Sequence, residues 1–239
     1  MGHPRRIHPV HMHPLDNVIW QALTSRQTEF AEGYGQARQF MREVTLLAAF
    51  LEPTAQGYDD LGRVVGPGGT GGLFLDEPYE AREGWEFIVG APLLQMIFAE
   101  QTVLSERTSR EVEIVQLGQQ DSPEMIELIT LTKPGPFGTR THELGTYLGI
   151  RRDGKLVAMA GERLKVPGHT EVSAVCTHPD HTGKGYARVL MTEVIRGILD
   201  RGEIPFLHSR GDNTRAIDLY TLLGFRERKL GHFAVLRRT

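Results

Sequence analysis

The chain has 239 residues, 40% of them hydrophobic and 24% charged, the composition of an ordinary soluble globular protein rather than a fibrous or disordered one. A formal net charge of −3 gives no electrostatic reason to expect a nucleic acid or an anionic membrane as partner, and no apolar run reaches membrane-spanning length. The single cysteine, Cys176, excludes an intrachain disulfide framework and suits a reducing cytoplasm.

Residues 1–16 read as a flexible tail. The segment before Pro14 has no apolar core of a secretory signal, and Arg6 stands where myristoylation needs Ser or Thr. His3, His8, His11 and His13 offer metal-binding chemistry, but Pro4, Pro9 and Pro14 work against a compact ligand scaffold, so no metal is expected. Residues 17–52 carry a helical pattern, strongest over 37–51, which Pro53 ends. The glycine-rich run 64–72 (VVGPGGTGG) reads as a turn, because no Lys-Ser/Thr pair follows it. Short strands are expected at 73–75, 85–89 and 93–99, and a domain boundary within 100–112.

The second half is more regular. A strand at 114–117 is followed by Ser122 as a helix N-cap, with Pro123 at the first helical position and Glu124 favouring the dipole. That helix runs to 132, and 133–138 (KPGPFG) is a loop. Asp153-Gly154 predicts a hairpin between strands at 147–150 and 156–162. Pro167-Gly168 turns the chain into a strand over 171–177. Ala187, Leu190, Met191, Val194, Ile195, Ile198 and Leu199 recur at helical spacing, and Gly202 is a stop signal. A strand at 204–208 and a helix opening at Asp212-Asn213-Thr214 follow, with Ala216, Leu219, Tyr220 and Leu223 on one face. Two final strands, one at Phe225 and one at 233–236, complete the pattern. The fold class expected is α/β, a mixed and mostly antiparallel sheet flanked by helices.

The richest stretch is 175–187, Val-Cys-Thr-His-Pro-Asp-His-Thr-Gly-Lys-Gly-Tyr-Ala. A strand ends in a glycine-bearing turn and a helix follows at once, which gathers unpaired N–H groups and a positive dipole end around one anion site. Three phosphate loops compete for it. Gly183-Lys184 is followed by Gly185 where a P-loop needs Ser or Thr for magnesium. Arg188 stands where a dinucleotide fingerprint needs its third glycine.

The third possibility is a coenzyme A pyrophosphate turn. Thr182-Gly183-Lys184-Gly185-Tyr186-Ala187, preceded by Thr177-His178-Pro179, resembles the R/Q-x-x-G-x-G/A motif of the GNAT superfamily of N-acetyltransferases. Thr182 departs from it, replacing Arg or Gln. Downstream, Asn213-x-x-Ala216-Ile217-x-Leu219-Tyr220-x-x-x-Gly224-Phe225 is similar to the family's second signature. The resemblance covers 112–238. Phe206-Leu207-His208 and the Leu-Gly-Phe ending look like the branch grouped with the glycine N-acyltransferase C-terminal domain. It implies a GNAT-like acetyltransferase domain over 112–239. Residues 17–111 are then an accessory domain or a degenerate GNAT-like copy.

The same resemblance implies direct acetyl transfer from acetyl-CoA, the acyl-donor substrate, to an amine, with no metal, nucleic acid or membrane partner. The acceptor is a small amine, an amino acid or a protein N-terminus, and a homodimer is an open alternative. A cofactor cradle is implied at Val175, Cys176, Thr177, Thr182, Gly183, Lys184, Gly185, Tyr186, Ala187, Arg188, Asn213 and Tyr220. Backbone N–H groups of Val175 and Thr177 would polarise the thioester, where a splay of their strand lets pantetheine pair with an exposed edge. Two catalytic residues are expected. Tyr220 would protonate the departing thiolate, its alternative being a core aromatic. Glu171 would take the amine's proton, as a glutamate does at the matching position of histone-type members, its alternative being a solvated strand-end carboxylate. His142, His169 and His208 are further base candidates. An acyl-enzyme at Cys176 is disfavoured, because 176 points away from 175 and 177 and has no paired base. A non-catalytic acyl-CoA sensor and a longer-chain acyltransferase, with loop 134–137 lining its tunnel, are the competing functions.

Overall fold

A computed structural model describes residues 13–99 and 112–239. His3, His8, His11 and the expected boundary at 111 lie outside these residues. Residues 13–16 are not a tail: Leu15 is buried, the His13 ring meets His169 edge-on, and Asp16 pairs with Arg228 at 2.6 Å.

The first half opens with helix α1 (Val18–Thr24), whose Val18, Ile19, Ala22 and Leu23 are buried. A three-stranded antiparallel sheet follows: β1 (Ala31–Tyr34), β2 (Ala37–Phe40) and β3 (Ala48–Phe50). The helix expected over 37–51 is therefore a strand pair. Ala37, Phe40, Val44, Leu47 and Ala48 are all buried, and that spacing imitates a helical stripe. The connection between β2 and β3 folds back into the core that the strands cover, which produces the same period by another route. Helix α2 (Ala55–Val65) has no counterpart among the expectations; Thr54 caps it, accepting from the Gly57 N–H at 3.1 Å. Strands β4 (Thr70–Leu75) and β5 (Trp85–Phe98) complete this half.

The second half follows the expected order: β6 (Val115–Leu117), α3 (Ser122–Thr132), β7 (Tyr147–Arg152), β8 (Lys155–Val166), β9 (His169–Thr177), α4 (Tyr186–Asp200), β10 (Ile204–Arg210), α5 (Thr214–Leu222) and β11 (Phe225–Arg238). Asp153 and Gly154 both have positive φ, 51° and 77°, as a tight hairpin between β7 and β8 requires. Ser122 begins α3 and donates its hydroxyl to Thr139 O, so the cap position falls one residue earlier than expected.

One difference decides the architecture. In place of two final strands there is a single long β11, and its neighbour in the sheet comes from the first half of the chain. The main sheet has the order β4-β11-β5-β10-β9-β8-β7-β6, antiparallel throughout except for β10 against β9. β5 lies between β10 and β11 and is continuous through Pro92, where two strands were expected. Proline has no N–H to offer, but its carbonyl accepts from the Gly211 N–H at 2.9 Å, one residue past the end of β10, so the strand stays tied on that side. The sheet thus runs across the two expected domains.

Each sheet face has its own core. Leu190, Met191, Val194, Ile195 and Ile198 of α4 pack on Leu94, Met96, Ala158, Ala160 and Leu207. On the other face, Leu15, Val18 and Ile19 pack with Phe40, Leu164 and Phe206, and α3 packs with Tyr147, Met159 and Cys176. Ala158 and Ala160 face α4 while Met159 faces α3, the period of two that a strand imposes. Among the described residues, no helix is long and apolar enough to cross a membrane.

Candidate active site

β9 and β10 begin side by side and then part. They pair at His169–Ile204, Thr170–Pro205 and Glu171–Phe206. Beyond that point β9 follows β8, while β10 follows β5. A bulge helps β9 to turn away: Gly161 and Met159 of β8 face Ser173 and Cys176, three residues on against two, and Ala174 takes a left-handed φ of 53°. The gap holds a cavity of about 580 Å³. Val172 to Thr177 form one wall, and His208, Ser209 and Arg210 the other. Asn213 and Tyr220 close it on the α5 side, and Lys133 to Pro136, Phe74 and Phe233 on the opposite side.

The cavity thus brings together Val175, Cys176, Thr177, Asn213 and Tyr220, which lie far apart in sequence. The turn at Thr182–Arg188 is not part of its lining; it follows Thr177 after a short 3-10 segment (Pro179–His181). Gly183 and Gly185 have φ of 77° and 78°, and space is open where a Cβ on either would stand. Gly185 occupies the N-cap of α4 without any capping side chain, so the first-turn N–H groups have no intrahelical acceptor and point outward. Thr182, the departure from the family motif, donates its hydroxyl to Pro179 O at 3.0 Å and so braces the turn. Lys184 is exposed with Nζ 3.3 Å from His181 Nδ1, and Arg188 is exposed. The Tyr186 ring is buried under Arg152, whose Nε donates to its hydroxyl at 3.0 Å, so only the Tyr186 main chain faces the turn.

Two side chains have their ionisation set by burial. The Tyr220 hydroxyl is pushed up to about 12, which keeps it protonated. Cys176 is pushed up to about 11. Its neighbour Val175 packs toward α4 while Cys176 packs toward α3, as the strand period requires.

Glu171 does not line the cavity. Its carboxylate is fully buried and accepts from Arg163 Nε and Nη2, each at 2.8 Å, from Leu164 N at 3.3 Å and from His208 Nδ1 at 2.7 Å. Burial alone would raise this carboxyl, but Arg163 and His208 outweigh it and hold the group near about 2. A carboxylate so held is disfavoured as acceptor for an amine's proton, and its contacts are those of a brace for Arg163. His208 is fixed at both ring nitrogens. Gln95 Oε1 accepts from Arg228 Nη1 at 2.7 Å and Gln95 Nε2 donates to Leu15 O at 3.0 Å, which settles the orientation of that amide. Its other amide hydrogen then points at His208 Nε2, 3.0 Å away, leaving Nδ1 to donate to Glu171. His208 has no free lone pair for a substrate proton. His142 and His169 lie outside the cavity lining. Neither Arg163 nor Gln95 was singled out from sequence, although a Glu-Arg pair inside the apolar run of β8 is a visible anomaly.

Comparison with known proteins agrees with this geometry. The FR47-like protein family model matches residues 147–233, the segment from β7 into β11. A solved GNAT-family protein from Novosphingobium aromaticivorans DSM 12444 is 37% identical, with a TM-score of 0.86, over 95% of this chain and 100% of that one. The chain belongs to the GNAT family. A GCN5-related N-acetyltransferase from Kribbella flavida shares the fold at 16% identity, with a TM-score of 0.62 over 92% of this chain and 94% of that one. N-alpha-acetyltransferase RimI of Mycobacterium tuberculosis (strain ATCC 25618 / H37Rv) is 36% identical over 99 residues, 38% of this chain and 61% of that relative. The GNAT resemblance drawn from 182–187 and 213–225 is therefore correct, and Thr182 is a variation within the family.

Proposed function

We propose that the protein transfers an acetyl group from acetyl-CoA directly to an amine, in the cytoplasm. The observation that carries this reading is the gap between β9 and β10, whose cavity is lined by the freed stretch of β9 and by Tyr220. The pyrophosphate would rest on the N–H groups of Thr182 to Arg188, where the open space at Gly183 and Gly185 admits close approach. Pantetheine would lie along the freed edge of β9, its thioester carbonyl toward the N–H groups of Val175 and Thr177. Asn213 spends its Oδ1 on the Ala216 N–H at 3.3 Å and keeps its NH₂ for the arm. Tyr220 remains protonated and donates to the sulfur as the thiolate leaves.

The nitrogen attacks the thioester carbon, the C–S bond breaks, the amine's proton passes to solvent, and solvent returns a proton to Tyr220. No carboxylate lines the cavity among the described residues, and His208 is occupied at both nitrogens. The likeness to a relative named for N-alpha acetylation supports an α-amino acceptor. A panel of amines mixed with acetyl-CoA, read by free thiol release, tests the reading. Acetylated product is the expected result; binding of acetyl-CoA without turnover on any amine would replace it with a sensor.

A further inference from the structure

Arg163 has one edge that the fold uses and one that it leaves open. A guanidinium carries five N–H donors. Glu171 takes two of them in a side-on fork, through Nε and Nη2. The end-on edge, formed by Nη1 and the second Nη2 hydrogen, has no protein acceptor among the described residues. The side chain is only 8% exposed, yet it lines the cavity, and a Cβ on Gly135 of the covering loop would stand 4.0 Å from Nη1. A fork of this shape matches a carboxylate with two parallel hydrogen bonds.

The charges around it point the same way. The cavity lining carries Lys133, Arg163, Arg210 and Arg215 and, among the described residues, no Asp or Glu. Arg210 is paired with Asp212, and Arg215 stands on the α5 side where the cofactor would enter, so Lys133 and Arg163 remain for the acceptor. An amine arrives as a cation, and a wall of cations repels it unless it also carries negative charge. A polyamine or a lysine side chain is unsuited to such a wall; a zwitterion is suited to it.

This inference rests on the amine-acetylation reading above. We infer that Arg163, with Lys133 at the rim, binds the carboxylate of the acceptor, so that the acceptor class is a free amino acid. Glu171 and Gln95 act one step behind: the first holds the guanidinium in place, and the second holds His208 against Glu171.

Paired probes test it: free amino acids against their carboxamides, with turnover read by thiol release and binding read by calorimetry on the coenzyme A-bound protein. For the accepted side chain, the acid should be preferred by about tenfold or more. Arg163→Lys keeps a charge beside Glu171 but loses the fork; the preference should vanish through KM of the acid. Lys133→Ala, on an exposed loop, should weaken it several-fold and carries the test if Arg163→Lys fails to fold. Equal use of acid and amide, a preference for amides or amidated peptides, or no binding of any amino acid would overturn the inference. Acid-selective binding without turnover would keep it and remove the acetyltransferase reading instead.

Discussion

Glu171→Gln separates a proton acceptor from a brace. As general base, Glu171 would contribute about 10²- to 10⁴-fold to kcat and little to folding. As a brace it does the opposite. Its carboxyl falls from an ordinary 4.5 to about 2 in the folded protein. At about 1.4 kcal/mol per tenfold in proton affinity, that places roughly 3 kcal/mol of folding free energy in the carboxylate. The independent expectation for removing one partner of a buried ion pair is about 3–5 kcal/mol, which agrees. Because the folded value lies below the unfolded one, this contribution is complete above about pH 5 and is lost as pH falls from there toward about 2. Urea unfolding of Glu171→Gln should therefore show a loss of roughly 3 kcal/mol at pH 7 and a smaller one at pH 3.5. Adding Arg163→Met should recover most of it, since the stranded cation is then gone. Turnover at saturating amine should survive wherever the protein is folded. A stable variant whose kcat has collapsed would refute the brace and restore Glu171 as the base.

Tyr220→Phe should lower kcat by about 10²-fold, measured by thiol release, while acetyl-CoA binds as before. Gly185→Ala should lose about 1–2 kcal/mol to its left-handed backbone in urea unfolding, and should bind acetyl-CoA more weakly because a methyl then fills the open cradle. Residues 112–239 alone should show no cooperative unfolding by circular dichroism. Without β5 the strands β10 and β11 have no shared neighbour, and a fragment that folds cooperatively would contradict the dependence of the sheet on that strand.

How much the sequence revealed follows a physical division. From 114 to the end of α5, local signals agreed with the order of elements in the fold. Asp153-Gly154 demanded a tight turn, and the stripe from Leu190 to Ile198 had one partner to face. The turn at Gly183 and Gly185 was readable because positive φ is a local property. What escaped depends on distant residues. The stripe through Ala37, Phe40, Val44 and Leu47 reports burial and is silent on how the chain returns to the core. The place of β5 is set by β10 and β11, more than 100 residues later, and nothing within Trp85–Phe98 names those partners. The surroundings of Glu171 escaped for the same reason. A carboxylate on a strand beside the site looks like a base until Arg163 and His208 are seen around it. Their hydrogen bonds cross from β8 and β10, and His208 is oriented from β5.

The placing of β5 also has a consequence for biosynthesis. This strand leaves the ribosome with both long edges unpaired, and its partners, residues 204–210 and 225–238, are made more than 100 residues later. Throughout that interval the nascent chain carries an apolar strand that has nothing to close on, a template for pairing with other chains. Loop closure over such a distance is slow, so the final strand insertion sets the pace of folding. The Gln95 contact to His208 and the Arg228 contact to Gln95 form only at that step. Activity should therefore appear abruptly, once β11 has been made, and not grow gradually with the length of nascent chain before it.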